Sequence, residues 1–333
     1  MATIREVADR AGVSLATVSR ALNHPDQVSE DTLQQVQSAV RELKYIPSAN
    51  ARSLRKSKAE LIGVVVPSLS NPFFPALLEQ ASIEAEKQSY SVLIKVDANP
   101  LRSAQILERS DAVDGIVVVD NQWTFQEERR RVEFRVPVIA FDRVPSFDVL
   151  STYQVDNTQG AYVVTSHLLK LGARKLLHIA GPEGLDVSVK RRMGFEQAIE
   201  NHRTATVESK IIPGDFTLDA GTQCLDNALE DGFVPDAVFA ANDLMGIGAM
   251  RAATYRGLAV PSDIKIGGFD DLFISDFAKP GLTTYRQPIE TIAQEAVRKL
   301  LTLVSKDKIQ HDEAMNSVHT FEGQLIVRGS TVK

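Results

Sequence analysis

The chain has 333 residues, 44% of them hydrophobic, with 37 Lys or Arg against 43 Asp or Glu and a formal net charge of −6. That length buries more than one core, and a small domain followed by a larger one fits ordinary domain sizes. No stretch reaches the unbroken apolar length that crosses a bilayer, and Met1 to Arg10 mixes charges with short apolar steps unlike a secretory leader, so a cytoplasmic protein with no membrane partner is expected.

Chemistry at a reactive centre is also disfavoured. The single cysteine, Cys224, has no second thiol for a disulfide or a thiolate metal site. The six histidines (His24, His167, His178, His202, His311 and His319) show no pairing such as H-E-x-x-H, and neither a G-x-S-x-G elbow nor a Walker loop occurs. Gly181-Pro182-Glu183-Gly184 lacks the following lysine of such a loop and reads as a turn. No catalytic residue, metal or cofactor is expected. The charge is distributed unevenly: residues 1–58 hold nine Lys or Arg against six Asp or Glu, and Arg41 to Lys58 six against one. A phosphate-facing surface therefore falls at the N-terminus.

Thr3-Ile4-Arg5-Glu6 fits a capping box and starts a first helix, with Val7, Ala8 and Ala11 on one face and Gly12 supplying a sharp turn. Ser14 caps a second helix over Leu15 to Asn23, with Val18 and Leu22 inward. Ser29, followed by Glu30 and Asp31, opens a third helix that buries Leu33, Val36, Val40 and Leu43. An ordinary three-helix bundle would read the same way. The second helix, however, exposes Leu15, Ala16, Thr17, Ser19 and Arg20, small residues that allow close approach to a major groove and one arginine able to fork onto guanine. After it, Tyr45 to Lys56 contains Pro47, which ends the bundle, and Ser48, which can cap a helix of about two turns that is marginal unless docked. Leu54 between basic residues suits an apolar wedge in a minor groove.

These segments, Ile4-Arg5-Glu6-Val7-Ala8, Ala11-Gly12-Val13-Ser14, Ala16-Thr17-Val18-Ser19-Arg20 and Ala51-Arg52-Ser53-Leu54, resemble the signature of the lactose-repressor (LacI/GalR) family, and the similarity continues to the C-terminus. The resemblance implies a non-enzymatic transcriptional regulator: a homodimer on a palindromic double-stranded operator, with Leu15, Ala16 and Arg20 on bases and Leu54 prying open the central step. The DNA-facing set expected is Thr3, Ser14, Leu15, Ala16, Thr17, Ser19, Arg20, Asn23, Ala51, Leu54 and Arg55.

From Leu61 the chain alternates β-rich runs with amphipathic stretches: Leu61 to Pro67, Ser91 to Val96, Gly115 to Val119, Pro137 to Phe141, Lys175 to Ala180, Ala237 to Ala240 and Ile264 to Gly267. That alternation means parallel sheets with right-handed crossovers, and two sheets fit the length. The fold class is thus α/β, and the resemblance implies a small all-α helix-turn-helix head plus a two-subdomain periplasmic-binding-protein-like core of parallel sheets. The expected division is a head at 1–45, a hinge with a DNA-induced helix at 46–58, and an effector-binding and dimerisation core at 59–333. By resemblance, the core comprises an N-subdomain of about 59–156 and 288–319 and a C-subdomain of about 157–287 and 320–333. Crossing strands are placed near Asp156 to Asn157, Tyr285 to Pro288 and His319 to Glu322. The crossover from Asp97 to Asp114 is about two turns shorter than is usual in the family, which bears on the outer wall of the site.

Ligands of such sheets bind beyond the carboxyl ends of the strands. Those positions carry Asn71, Phe73 and Phe74, then Asp142 and Arg143, then Asn242 and Asp270, joined by Arg191, Phe216 and Gln287. Carboxylates and guanidinium forks suit vicinal hydroxyls, and phenylalanine rings suit the C–H face of a sugar. The set is also similar to the ribose contacts of periplasmic ribose-binding proteins, which makes ribose or another pentose the leading small-molecule effector. Related motifs serve hexoses, ketose phosphates, nucleosides and purines, and a co-repressor role is the alternative to induction. Taken singly, Asn242 can be a helix cap, and Asp156 and Asp243 can be structural.

Overall fold

The computed structural model describes residues 2–45, 59–119, 134–142, 149–202, 206–305 and 317–332. Ala51, Leu54 and Arg55 of the expected hinge, and Arg143 of the expected pocket, lie outside these residues, as does the side chain of Asn23. The chain divides into two compact units, Met1–Ala59 and Glu60–Lys333.

In the first unit, helices α1 (Ile4–Ala11), α2 (Leu15–Asn23) and α3 (Glu30–Glu42) form a bundle, with a short 3-10 turn at Pro25–Gln27. The Thr3–Glu6 capping box closes reciprocally: the Thr3 backbone N–H donates to Glu6 Oε2 at 2.6 Å and the Glu6 N–H to Thr3 Oγ1 at 3.3 Å. Gly12 ends α1 in the left-handed region, φ +66°, which a side chain would disfavour. Ser14 and Ser29 accept from the third residue of the helices they open. The centre differs in part from expectation. Val7, Ala8, Val18, Ala21, Val36 and Ala39 are buried, whereas Leu22, Leu33, Val40 and Leu43 are half-buried around them. Alanines at 21 and 39 let short helices pack closely, and the larger side chains then wrap the edge.

The second unit holds two six-stranded sheets. The first comprises β1 (Leu61–Val66), β2 (Ser91–Val96), β3 (Gly115–Val119), β4 (Val138–Phe141), β5 (Ser151–Val155) and β11 (Ser317–Phe321), in the order β11-β5-β4-β3-β1-β2. All its pairings are parallel. The second comprises β6 (Lys175–Ala180), β7 (Glu208–Pro213), β8 (Ala237–Ala240), β9 (Lys265–Asp270), β10 (Thr283–Arg286) and β12 (Gln324–Ile326), in the order β12-β10-β9-β8-β6-β7, with only β12 antiparallel. The inner strands are near-continuous runs of Val, Ile, Leu, Ala and Phe because helices cover both faces of a parallel sheet. The intervening helices are α4 (Phe73–Lys87), α5 (Pro100–Arg109), α6 (Asn157–Lys170), α7 (Asp186–Glu200), α8 (Leu218–Glu230), α9 (Asp243–Tyr255), α10 (Phe273–Phe277) and α11 (Ile289–Ser305).

The chain passes between sheets three times: from β5 into α6, from β10 into α11, and from β11 into β12. At the last crossing a Cβ on Gly323 would lie 2.2 Å from the Arg286 carbonyl oxygen, so two crossing segments run in backbone contact there. The strand expected at Ile264 to Gly267 runs instead from Lys265 to Asp270, which makes Asp270 the last strand residue rather than one beyond it. The short crossover still holds a three-turn helix, α5, capped by Asn99, with Pro100 in its first turn. His178 is fully buried, stacked against both Phe195 and Phe239, with Nδ1 2.9 Å from the Phe239 carbonyl oxygen. Burial drives its pKa down to about 4 and keeps it neutral.

Candidate functional site

In the first unit, the outward face of α2 presents Leu15, Ala16 and Arg20 exposed and Thr17 and Ser19 half-buried. Three of the expected DNA contacts also serve helix starts. The Ser14 hydroxyl accepts the Thr17 N–H at 3.1 Å and pairs with the Thr17 hydroxyl at 2.9 Å. Thr3 is bound up in its capping box. The rest of this face consists of Leu15, Ala16, Ser19 and Arg20.

In the second unit, a cavity of about 510 Å³ opens between the two sheets at the carboxyl ends of their strands. Nine of the ten expected pocket residues line it: Asn71, Phe73, Phe74, Asp142, Arg191, Phe216, Asn242, Asp270 and Gln287. The tenth is Arg143. The residues come from both subdomains. Asn71, Phe73 and Phe74 lie where β1 passes into α4, and Asp142 follows β4. Arg191 projects from α7, Phe216 precedes α8, Asn242 caps α9, and Asp270 and Gln287 end or follow β9 and β10.

Some of these groups are already occupied by the fold. Asn71 Oδ1 accepts the Phe73 N–H at 3.0 Å, turning the chain into α4. Phe73 and Phe74 meet edge to face with centroids 5.5 Å apart. Asn242 Oδ1 accepts the Met245 N–H at 3.0 Å as the cap of α9, and its amide donates to the Phe216 carbonyl at 3.0 Å. The capping role foreseen for Asn242 is thus real. Phe216, at φ +67°, is held with its ring against Gly181, where a Cβ would come within 2.3 Å of it.

Arg191 is the central cation. It is buried, its Nε donates to Asn157 Oδ1 at 2.8 Å, and its Nη1 donates to the Ala241 carbonyl and lies 3.7 Å from Asp270 Oδ1. Its guanidinium covers the Phe269 ring at 3.8 Å and faces Phe216 at 5.9 Å. Asp270 Oδ1 also accepts from the Gln287 amide at 2.7 Å. Across the cleft, Asp142 stands at φ +50° with Oδ1 buried and without a hydrogen-bond partner among the described residues. Burial pushes its carboxyl up to about 6, against the opposing pull of Arg191 and Lys190. Burial raises Asp270 in the same way, with Arg191 and Gln287 opposing.

Sequence reasoning missed Asn157, which orients Arg191, and the apolar residues Pro182, Leu185, Val187, Leu218 and Leu244 that complete the wall. The last of these signals was available, since all five follow strands or open helices at the same end of the second sheet. Asp243 proves structural. Its Oδ2 accepts the Leu272 N–H at 2.8 Å and the Ser275 hydroxyl at 2.6 Å, and Oδ1 takes the Thr284 hydroxyl.

Residues 3–48 match the model of bacterial regulatory proteins, lacI family, and residues 165–331 match the periplasmic binding protein-like domain. The HTH-type transcriptional repressor CytR of Escherichia coli (strain K12) is 33% identical, covering 99% of this chain and 96% of its own. The ribose operon repressor of Halalkalibacterium halodurans is 33% identical over 99% and 97%. Among solved structures, the lac repressor dimer bound to operator and the anti-inducer ONPF is similar with a TM-score of 0.81 at 26% identity, covering 100% of this chain and 99% of that one. With a helix-turn-helix bundle, a two-sheet body and relatives that match it from end to end, this chain belongs to the lacI family of bacterial regulatory proteins, DNA-binding transcriptional repressors.

Proposed function

We propose that the protein represses transcription as a homodimer on a palindromic operator and is released when a small sugar, ribose or another pentose, fills the cavity between its two sheets. The observation that carries this reading is the convergence of carboxylates, one guanidinium and phenylalanine rings from both subdomains on a single cavity. A ligand that bridges Asp142 and Phe73 on one side and Asp270 and Arg191 on the other favours a closed cleft over an open one, and any difference in affinity between the two states shifts their populations. Bases are read by Leu15, Ala16 and Arg20 from the exposed face of α2, with Ser14, Thr17 and Thr3 on the backbone; Leu54 acts from the hinge. Support for a pentose comes from the ribose operon repressor among the relatives, and support for a dimer on an operator from the lac repressor complex.

Selecting operator sequences from random DNA and following their retention by fluorescence anisotropy, with and without ribose, tests the proposal. Ribose is expected to weaken operator binding at least about five-fold, the lower end of ordinary allosteric coupling. Asp270→Ala is expected to retain operator affinity and lose that response. A normal ribose response in Asp270→Ala removes the pocket from the proposal, and operator binding that tightens with ribose reverses its sign.

A further inference from the structure

The cavity is divided by burial as well as by chemistry. Asp142, Arg191, Asn242, Asp270 and Gln287 are all buried and form a polar floor, whereas Pro182, Leu185, Phe216, Leu218 and Leu244 are half-buried and form an apolar rim on the second subdomain. A free pentose has ten non-hydrogen atoms; allowing each a water molecule's share of about 30 Å³, generous because bonded atoms overlap, it fills roughly 300 Å³. The cavity holds about 510 Å³. Outside the floor the lining on the second subdomain is largely apolar side chain, with Asp215 and Thr217 exposed beside it.

The charges on the floor narrow the ligand further. Among the described lining residues Arg191 is the one cation, and its guanidinium is already engaged by Asn157, the Ala241 carbonyl and Asp270. Asp142 and Asp270 are the carboxylates of the floor, Asp215 standing exposed at its edge, and Asp142 Oδ1 is buried and lacks a donor among the described residues. Among the described residues of the floor a phosphate meets two carboxylates, Asp142 and Asp270, against one guanidinium, and its own desolvation is unrepaid there. A hydroxyl supplies the donor that Asp142 lacks and can accept from the remaining guanidinium N–H groups.

Building on the pentose reading above, we infer that the effector is an uncharged pentoside: a hydroxylated ring on the Asp142–Arg191–Asp270 floor that carries an apolar substituent against the Leu185–Phe216–Leu244 rim. Phosphorylated sugars are excluded by the floor, and a free pentose leaves the rim wet. Phe216 and Leu244 then set affinity through the substituent, while the floor recognises the ring.

Calorimetric titration of the full chain with D-ribose, methyl β-D-ribofuranoside, phenyl β-D-ribofuranoside and D-ribose 5-phosphate tests this. The phenyl riboside is expected to bind at least about ten-fold more tightly than ribose, a gain of the size that burying an apolar group in a fitted pocket provides. The methyl riboside falls between them, and the 5-phosphate binds more weakly than ribose. Leu244→Ser is expected to erase the phenyl advantage. Ribose binding as tightly as the phenyl riboside overturns the rim and leaves the pentose reading intact, and preference for the 5-phosphate overturns the uncharged ligand. No binding of any of the four, by protein that still retains operator DNA, overturns both the inference and the pentose reading.

Discussion

Asp142 holds a buried carboxyl at the mouth of β4 with one oxygen unpaired among the described residues and a backbone φ of +50°. Such a residue weakens the empty protein, because the ionised form is kept from water with no hydrogen-bond donor on that oxygen. The folded state retains the Asp142 proton up to about pH 6, whereas the unfolded chain releases it near its ordinary value of 3.8. Protons are thus bound in excess by the folded state between those two values, so this group's contribution to stability falls as pH rises through that window and is level above it. Asp142→Asn, which cannot ionise, is expected to be more stable than the wild type by about 2–3 kcal/mol at pH 7. The gap closes as pH approaches 4. Urea melts at pH 4 and pH 7 check this, and a gap that does not change with pH contradicts it. The same substitution is expected to weaken sugar binding, since a neutral amide is a poorer acceptor than a carboxylate.

The turn between β9 and α10 shows how an element can be held in place by one residue outside it. Asp270 and Asp271 are successive non-glycine residues at φ +117° and +58°, a backbone that persists only where its surroundings enforce it. Asp243, fully buried at the start of α9, enforces it through Leu272, Ser275 and Thr284. A Cβ on Gly268 would come within 2.5 Å of its carboxylate. From the other side, Asp271 is gripped by Arg286 at 2.6 Å and Arg328 at 2.7 Å. Asp243→Ala strands a buried N–H and two hydroxyls and is expected to cost about 3 kcal/mol or more. Asp243→Asn keeps the shape, and its amide can donate to Thr284 Oγ1, so a change within about 1 kcal/mol is expected. Denaturant unfolding of both variants separates a hydrogen-bonding role, which spares the Asn variant, from a need for charge, which does not.

At the level of the whole molecule, the second subdomain leaves large aromatic side chains in water. Tyr255 at the end of α9 and Phe277 at the end of α10 are each 78% exposed, and Phe273 is 69% exposed. Singly exposed apolar residues are ordinary, but Phe273 and Phe277 on one short helix are the kind of surface that a second copy would cover. Phe273→Ser with Phe277→Ser is therefore expected to raise the dissociation constant of the proposed dimer at least about ten-fold in sedimentation velocity, two truncated anchors being worth more than about 1.4 kcal/mol. Operator retention then becomes more dependent on protein concentration. Unchanged sedimentation in the double variant places the dimer surface elsewhere.

How much of this was legible beforehand follows from what each pattern depends on. Local chemistry is written locally, so the Thr3–Glu6 capping box, the caps at Ser14 and Ser29 and the turn at Gly12 were readable residue by residue. Apolar runs flanked by polar residues revealed the inner strands, which are buried on both faces. The edge strand β7 (Glu208–Pro213) and β5 (Ser151–Val155) escaped, since Lys, Glu, Ser, Thr and Gln dilute the pattern. Nine of the ten residues expected in the pocket line one cavity, from both subdomains, because residues at the carboxyl ends of the strands face the same crevice once the sheets are parallel. Sequence alone thus determined the helical head, the two-sheet α/β body and the polar residues at the strand ends. Only the tertiary structure decided which of those polar groups are spent: the Asn242 amide on the Phe216 carbonyl and Asp243 on the β9–α10 turn, while Asp142 Oδ1 is left without a partner among the described residues. That distinction rests on hydrogen bonds between residues tens of positions apart, and no local pattern in a chain encodes which distant donor will arrive.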